Sequence, residues 1–175
     1  MALKTDIRGM IWKYPDTFVV GREQVRQYAK AVKSAAPATV DEAAAAELGH
    51  DALIAPLTFA SIFAVMIQNH FFQHVDVGLE TMQIVQVDQK FHFHRPIKVG
   101  DELTGTMHVE SVDERFGADI VLTRNVCAEL DGTVVMEAFT TLMGHEGDNS
   151  ISVKWDPESG QVIRTAAIQN GQDAD

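Results

Sequence analysis

The side chains able to do chemistry fall in a few places, and their spacing limits what that chemistry is. His70 and His74 stand four apart in a helix-patterned segment, and His92 and His94 stand two apart in a strand-patterned one. Both spacings suit a divalent metal. Neither pair has an acidic ligand at a defined spacing, so the pairs read as the polar end of a core helix and a solvent-facing strand edge, with no metal and no cofactor expected. The lone cysteine, Cys127, lies in a strand pattern with no basic residue closer than Arg124, which suits an inert core thiol. Arg22, Arg26, Lys30 and Lys33 share a sector of about 80° on one helix. That is a solvated face or a dock for an anionic partner. Residues 34–39 read Ser, Ala, Ala, Pro, Ala, Thr, and none of these side chains titrates near neutral pH.

The chain that must position these groups has 175 residues, 46% of them hydrophobic, which suits one domain with a substantial core. Its formal charge of −11 is uneven: residues 1–98 carry 10 basic and 10 acidic side chains, whereas residues 99–175 carry 4 and 15. Nucleic acid is excluded as a partner, because phosphate neutralisation needs a basic surface. The longest apolar stretch, residues 60–67, is far too short to span a bilayer, so no membrane insertion is expected. The N-terminus lacks the pattern of a signal peptide, and a single cysteine fits a reducing compartment, so the expected location is the cytoplasm.

Hydrophobic period places the elements. Phe18, Val19 and Val20 form a short strand ended by Gly21, and a helix follows from Arg22 to about Lys33 with Val25, Tyr28, Ala29 and Val32 as its apolar stripe. Thr39 and Glu42 fit a capping box, with Thr39 as the N-cap of an alanine-rich helix that stops at Gly49. Pro56 opens a third helix that runs to about His74. Leu57, Phe59, Ile62, Phe63, Val65, Met66, Ile67, Phe71 and Phe72 surround it almost completely, so it should be wrapped by the rest of the chain. From Gln83, apolar Val85, Val87, Phe91 and Phe93 alternate with polar Asp88, Lys90, His92 and His94, a strand with one buried face. A turn over 96–101, a strand marked by Leu103, Met107 and Val109, a turn over 113–117, a strand over 118–130, an Asp131-Gly132 two-residue hairpin and a strand over 133–143 complete a meander. A curled antiparallel sheet around a long helix is the α+β hot-dog arrangement. The domain should span 1–144. Residues 145–175 form a polar extension with a local turn near 155–160 and disorder from about 169.

Four stretches carry a resemblance. They are Leu53-Ile54-Ala55-Pro56-Leu57-Thr58-Phe59, Gln83-Ile84-Val85-Gln86-Val87-Asp88-Gln89, Pro96-Ile97-Lys98-Val99-Gly100-Asp101 and Thr140-Thr141-Leu142-Met143-Gly144. Together they resemble the HadA/HadC group of mycobacterial (3R)-hydroxyacyl-ACP dehydratase subunits, its HadC members above all, a group related to the N-terminal half of MaoC-like hydratases. The likeness runs from about Met1 to Ala166. It implies dehydration of 3-hydroxyacyl chains held on acyl carrier protein, within the type II fatty-acid synthase that extends mycolic acid precursors. Active relatives carry a pattern resembling Gly-Asp-x-Asn-Pro-x-His before the central helix. With Pro37 on the motif proline, Ser34 stands at the Asp position and Thr39 at the His position, so neither catalytic role carries over.

Removing water from a 3-hydroxyacyl thioester needs a base for the C2 proton and an acid for the departing hydroxyl, each with a pKa near the working pH. Losing one such role costs on the order of 10² to 10⁴ in rate. The chain alone is therefore expected to be inactive, with a HadB-like partner supplying Asp and His across a heterodimer interface. In hot-dog dimers the strand after the central helix pairs with its counterpart, here through Gln83, Val85, Val87, Gln89 and Phe91. Leu57, Phe59, Ile62, Phe63 and Met66 are candidates for an acyl channel wall, although each also reads as core. The basic quartet on the first helix would receive the acidic carrier protein. Two rivals stand beside this reading: an acyl-thioester-binding or regulatory homodimer without catalysis, and an independent hydratase or thioesterase using residues such as Asp88 or His92.

Overall fold

The computed structural model describes residues 3–78, 82–146, 151–156, 159 and 161–166. Its elements are β1 (Ile11–Lys13), β2 (Phe18–Val19), α1 (Arg22–Ala31), α2 (Glu42–Glu47), α3 (Ala60–His74), β3 (Met82–Phe93), β4 (Glu102–Arg115), β5 (Ala118–Glu129), β6 (Val134–Glu146), β7 (Ile151–Asp156) and β8 (Gln161–Ala166). Single 3₁₀ turns at Pro37–Thr39 and Leu57–Phe59 precede α2 and α3. The sheet is antiparallel, ordered β1-β4-β5-β6-β3, with β2 also on β4, while β7 and β8 form a separate two-stranded sheet. A long helix against this curved sheet is the α+β hot-dog fold.

α3 seats on β4 because β4 yields there. Phe63 and Ile67 pack over Gly105, where a Cβ would come within 2.4 Å of Ile67 Cδ1 and 2.8 Å of Phe63 Cζ. Aromatic rings close the flank: Phe18 stacks on Phe63 at 4.8 Å, and Tyr14 and Trp12 meet Phe63 and Phe71 edge-on. Trp12 lies in β1, a strand whose three residues carry too little periodicity to be read in advance, and Tyr14 directly follows it.

Several expectations change. The N-cap of α2 is Asp41, whose carboxylate accepts from the Ala43 amide, and not Thr39. Thr39 belongs to the preceding 3₁₀ turn and donates its hydroxyl back to the Ala36 carbonyl at 2.8 Å. The chain does not wrap α3 completely: Ala60, Phe63, Ala64, Ile67 and Phe71 are buried, but Val65 and Met66 are exposed. β3 does not keep one alternation. Its pairing with β6 shifts between Gln86 and Asp88, so Ile84 faces the core before the bulge and Phe91 and Phe93 face it afterwards, leaving Val85 and Val87 exposed. The β4–β5 turn is the pair Phe116-Gly117 with both φ positive, the two-residue hairpin form. The β5–β6 loop takes three residues, with Glu129 and Thr133 closing it and Gly132 left-handed. The expected extension carries the β7–β8 hairpin, and the disorder expected from 169 lies outside the described residues. Among the described residues, no helix is long and apolar enough to cross a membrane.

Candidate functional site

The segment 34–39 is held against the start of α3 by backbone pairing. The loop before α3 runs beside the β3–β4 turn: the Ala55 amide bonds to the Ile97 carbonyl at 2.8 Å and the Val99 amide to the Leu53 carbonyl at 2.9 Å. The Ile54 amide, from the same loop, bonds to the Ala38 carbonyl at 3.1 Å. The turn is itself braced. Arg95 makes a bidentate pair with the buried carboxylate of Asp101 and reaches Glu129, and Asp101 also accepts from the Lys98 amide. Its bond to Asp101 raises the Arg95 pKa above the ordinary guanidinium value. Lys98 in turn grips Asp51, whose carboxyl is held below its ordinary range by that bond. Two of the four recognised stretches thus form one clamp that presents the helix start to segment 34–39.

What the clamp presents holds no side chain that titrates near neutral pH. The Thr39 hydroxyl is buried and bonded to the Ala36 carbonyl. Ser34 is half-buried, its amide bonds to the Ala29 carbonyl, and its hydroxyl accepts a long bond of 3.4 Å from the Ala36 amide. Opposite, Tyr28 and Ser61 both donate to the Thr58 carbonyl, at 2.8 and 2.7 Å. Both hydroxyls at the positions compared with the motif are therefore engaged with backbone, and neither can take up a proton near neutral pH.

The five channel candidates separate. Phe59 and Phe63 are core residues, ringed by Phe18, Tyr28 and Tyr14. Leu57 is 69% exposed and Met66 37%, with Ile62 half-buried. A partly open apolar pocket of about 20 Å³ does lie between α3 and the sheet, but its wall is built of other residues, among them Phe71, Phe72, Ile84, Met107, Val121 and Leu142. It has room for about one water. On β5, Asn125 is 1% exposed, and neither polar atom of its amide meets a hydrogen-bond partner among the described residues.

The other candidates also resolve. On α1, Arg22 pairs with Glu42 and Glu23, and Arg26 pairs with Glu23, so acids of this chain already occupy half of the basic quartet. Lys30 and Lys33 are exposed and make no ion pair among the described residues, but α1 ends at Ala31 and Lys33, with φ of 53°, lies beyond it and does not share the expected helix sector. Among the described residues β3, with Gln83 and Val85 exposed and Gln89 bonded to Thr140 and the Phe139 carbonyl, pairs only with β6, which leaves its other edge open there. Phe91 packs against the core. His70 accepts from the Trp12 indole at 3.0 Å, and His74 contacts the His70 carbonyl, so this pair is structural. His92 and His94 differ from their reading: Glu137, forty-odd residues away and silent in any local pattern, stands between them. Cys127 is fully buried and its thiol is pushed up to about 12 by burial.

With this geometry in hand, comparison with known proteins is informative. Residues 9–138 match the family model described as FAS1-like, dehydratase domain region. A UPF0336 protein of Mycobacterium tuberculosis is 67% identical over 95% of this chain and all of its own length. A second UPF0336 protein of that organism is 43% identical over 85% of the chain and 94% of its own length. Among solved structures, one described as the C-terminally truncated HadBC (3R)-hydroxyacyl-ACP dehydratase complex of M. tuberculosis superposes with a TM-score of 0.76 at 63% identity, covering 81% of this chain and 99% of the matched one. A MaoC-like dehydratase gives the same TM-score at 35% identity, over 84% of this chain and 44% of its own. An (R)-hydratase from A. caviae, 17% identical with a TM-score of 0.59, shares the fold. The chain belongs to the UPF0336 group within the MaoC-like hot-dog family, on the branch of the HadC-type dehydratase subunits.

Proposed function

We propose that this chain is the non-catalytic subunit of a heterodimeric (3R)-hydroxyacyl-ACP dehydratase, paired with a HadB-like catalytic chain in type II fatty-acid synthesis and mycolic acid elongation. The observation that carries this reading is the inert segment 34–39: the clamp around it is intact, yet both hydroxyls in it are committed to backbone bonds. An acid and a base must then come from elsewhere. The HadBC complex named for the matched structure supports a hetero-oligomeric solution.

In this reading the partner's carboxylate and imidazole remove the C2 proton and protonate the leaving 3-hydroxyl, which departs as water. This chain contributes surface. The open edge of β3 continues the sheet into the partner, which also caps an aggregation-prone edge. Leu57, Ile62 and Met66 give the acyl tail an apolar wall facing the partner, whereas Phe59 and Phe63 only support that wall from beneath. Lys30 and Lys33, the unpaired cations of the basic quartet, receive the acidic carrier protein.

Co-expression with a HadB-like chain tests this directly. The expected product is a 1:1 complex that hydrates enoyl thioesters and dehydrates 3-hydroxyacyl ones, while this chain alone shows neither activity. If the HadB-like chain alone equals the complex in rate and chain-length range, the subunit role is wrong. The open β3 edge is equally able to accept a second copy of this chain. A stable homodimer that retains acyl thioesters unchanged, and ignores the HadB-like chain, would therefore favour an acyl-binding role instead.

A further inference from the structure

The outer face of the sheet carries a cluster that the dehydratase reading leaves unused. His92 lies on β3 and His94 one residue past its end, where the His94 amide still bonds to the Val135 carbonyl at 2.9 Å, and both histidines are exposed on either side of the half-buried Phe93. The β3–β6 register sets Glu137 directly opposite His92. Glu137 Oε2 lies 3.7 Å from His92 Nδ1 and 3.4 Å from His94 Nε2, and one ligand atom from each of the three residues falls within 4.8 Å of the other two. The imidazole centroids are 4.6 Å apart.

We propose that His92, His94 and Glu137 form a surface site for a divalent transition cation of the Zn²⁺ class, with the fourth position open to water. Bonds of about 2.0–2.1 Å to nitrogen and oxygen in a tetrahedron place ligand atoms roughly 3.4 Å apart. The two carboxylate–imidazole separations already match that edge. Closing the remaining one asks only for rotation of two side chains that are 61% and 42% exposed. Two imidazoles and one carboxylate suit Zn²⁺, Co²⁺, Ni²⁺ or Cu²⁺ over Mg²⁺ or Ca²⁺, which prefer all-oxygen shells.

The carboxylate is also oriented from behind. Arg124 Nη1 holds Glu137 Oε1 at 3.0 Å, which turns Oε2 towards the histidines. Arg124 is itself shared with Glu110 at 2.6 Å, so the pair of acids outweighs its single positive charge. This is the outer-shell support that metal-ligating carboxylates commonly have. The same bond lowers the Glu137 pKa below the ordinary glutamate value. Lys90, two residues before His92, is turned aside over the Phe139 ring at 6.0 Å.

The test is calorimetric titration of the full chain with Zn²⁺ alone near pH 7.5. One equivalent should bind, with His92→Ala and His94→Ala each weakening affinity about tenfold or more. Cu²⁺ added to the unsubstituted chain should give an electron paramagnetic resonance spectrum with two nitrogen ligands, a readout that needs no variant to fold. Zn²⁺ should also raise the melting temperature of the parent chain and leave that of His94→Ala unchanged. No saturable binding, binding unaltered by both substitutions, or binding lost on His74→Ala instead would each overturn the proposal. A histidine–carboxylate ion pair without metal is the state those results would establish.

Discussion

Both sides of α3 carry apolar residues, but in opposite environments, and the exposed side also carries Asn69, Gln73 and His74. One side sets Phe63 and Ile67 into the hollow over Gly105, with Ala60, Ala64 and Phe71 in line. The other presents Val65 at 50% exposure and Met66 at 37%, with Leu57 from the preceding turn at 69%. The helix therefore carries two kinds of hydrophobic surface: one that this chain buries itself, and one whose burial requires another molecule. Contiguous apolar exposure of that kind is costly in an isolated protein and marks a contact surface. The difference predicts how substitutions on the two sides separate.

The largest effect belongs to the inner side. Phe63→Ala removes a ring packed on Tyr14, Phe18 and the Gly105 hollow, and should cost about 3–5 kcal/mol of unfolding free energy, read from urea denaturation of the isolated chain. Gly105→Ala tests the same contact from the sheet. Its new methyl would stand 2.4 Å from Ile67 Cδ1, so about 1–3 kcal/mol should be lost. Ile67→Val in that background should recover part of the loss, because the clash is with the terminal carbons of the Ile67 side chain. A Gly105→Ala chain as stable as its parent would show that α3 does not sit as close as described.

Much of this was readable in advance, and what was not has a common cause. The apolar run of α3 and the meander after it are local patterns, and they carry the fold, although Pro56 opens the 3₁₀ turn Leu57–Phe59 and α3 itself begins at Ala60. The exposure of Val85 and Val87 was not readable, because the bulge between Gln86 and Asp88 exists only as a mismatch with β6. Glu137 beside His92 is likewise a fact of register across strands. Thr39 and Asp41 are both good cap residues, and only the 3₁₀ turn over Pro37–Thr39 decides that Asp41 caps α2. Gly105 looked like any glycine in a strand until α3 lay over it. The inert segment was the reverse case. Its lack of side chains that titrate near neutral pH was legible in the sequence, and the structure added the backbone bonds of its two hydroxyls.

Two predictions sharpen the account of the inner face by way of its polar members. The Cys127 pKa is raised from 9.0 to about 12 by burial, so the unfolded chain loses its thiol proton first as pH rises. Stability is intact below about pH 9 and falls by roughly 1.4 kcal/mol per pH unit from there towards pH 12, a slope that Cys127→Ala should reduce in denaturation at pH 10. Asn125→Leu should raise stability by about 1 kcal/mol, because it replaces an amide without hydrogen-bond partners by an apolar side chain of similar size. A loss of stability instead would mean that the amide holds an internal water.

The smallest effect on the isolated chain should come from the open side of α3, and there the contrast between the two sides is most exposed to failure. Met66→Lys places a charge where the side chain already meets solvent, so the unfolding free energy should stay within about 0.5 kcal/mol of the parent. The long lysine stem can lie along the helix with its ammonium in water. Assembly with a HadB-like chain should nonetheless fall steeply, since the same ammonium would be buried in an apolar contact without a counter-ion. Size-exclusion chromatography of the mixed chains reads that loss, and urea denaturation of the lone chain reads its absence. Should Met66→Lys destabilise the lone chain as Phe63→Ala does, the open side would be core after all. Should it leave assembly untouched, the partner would have to meet this chain elsewhere, and the β3 edge alone would have to carry the interface.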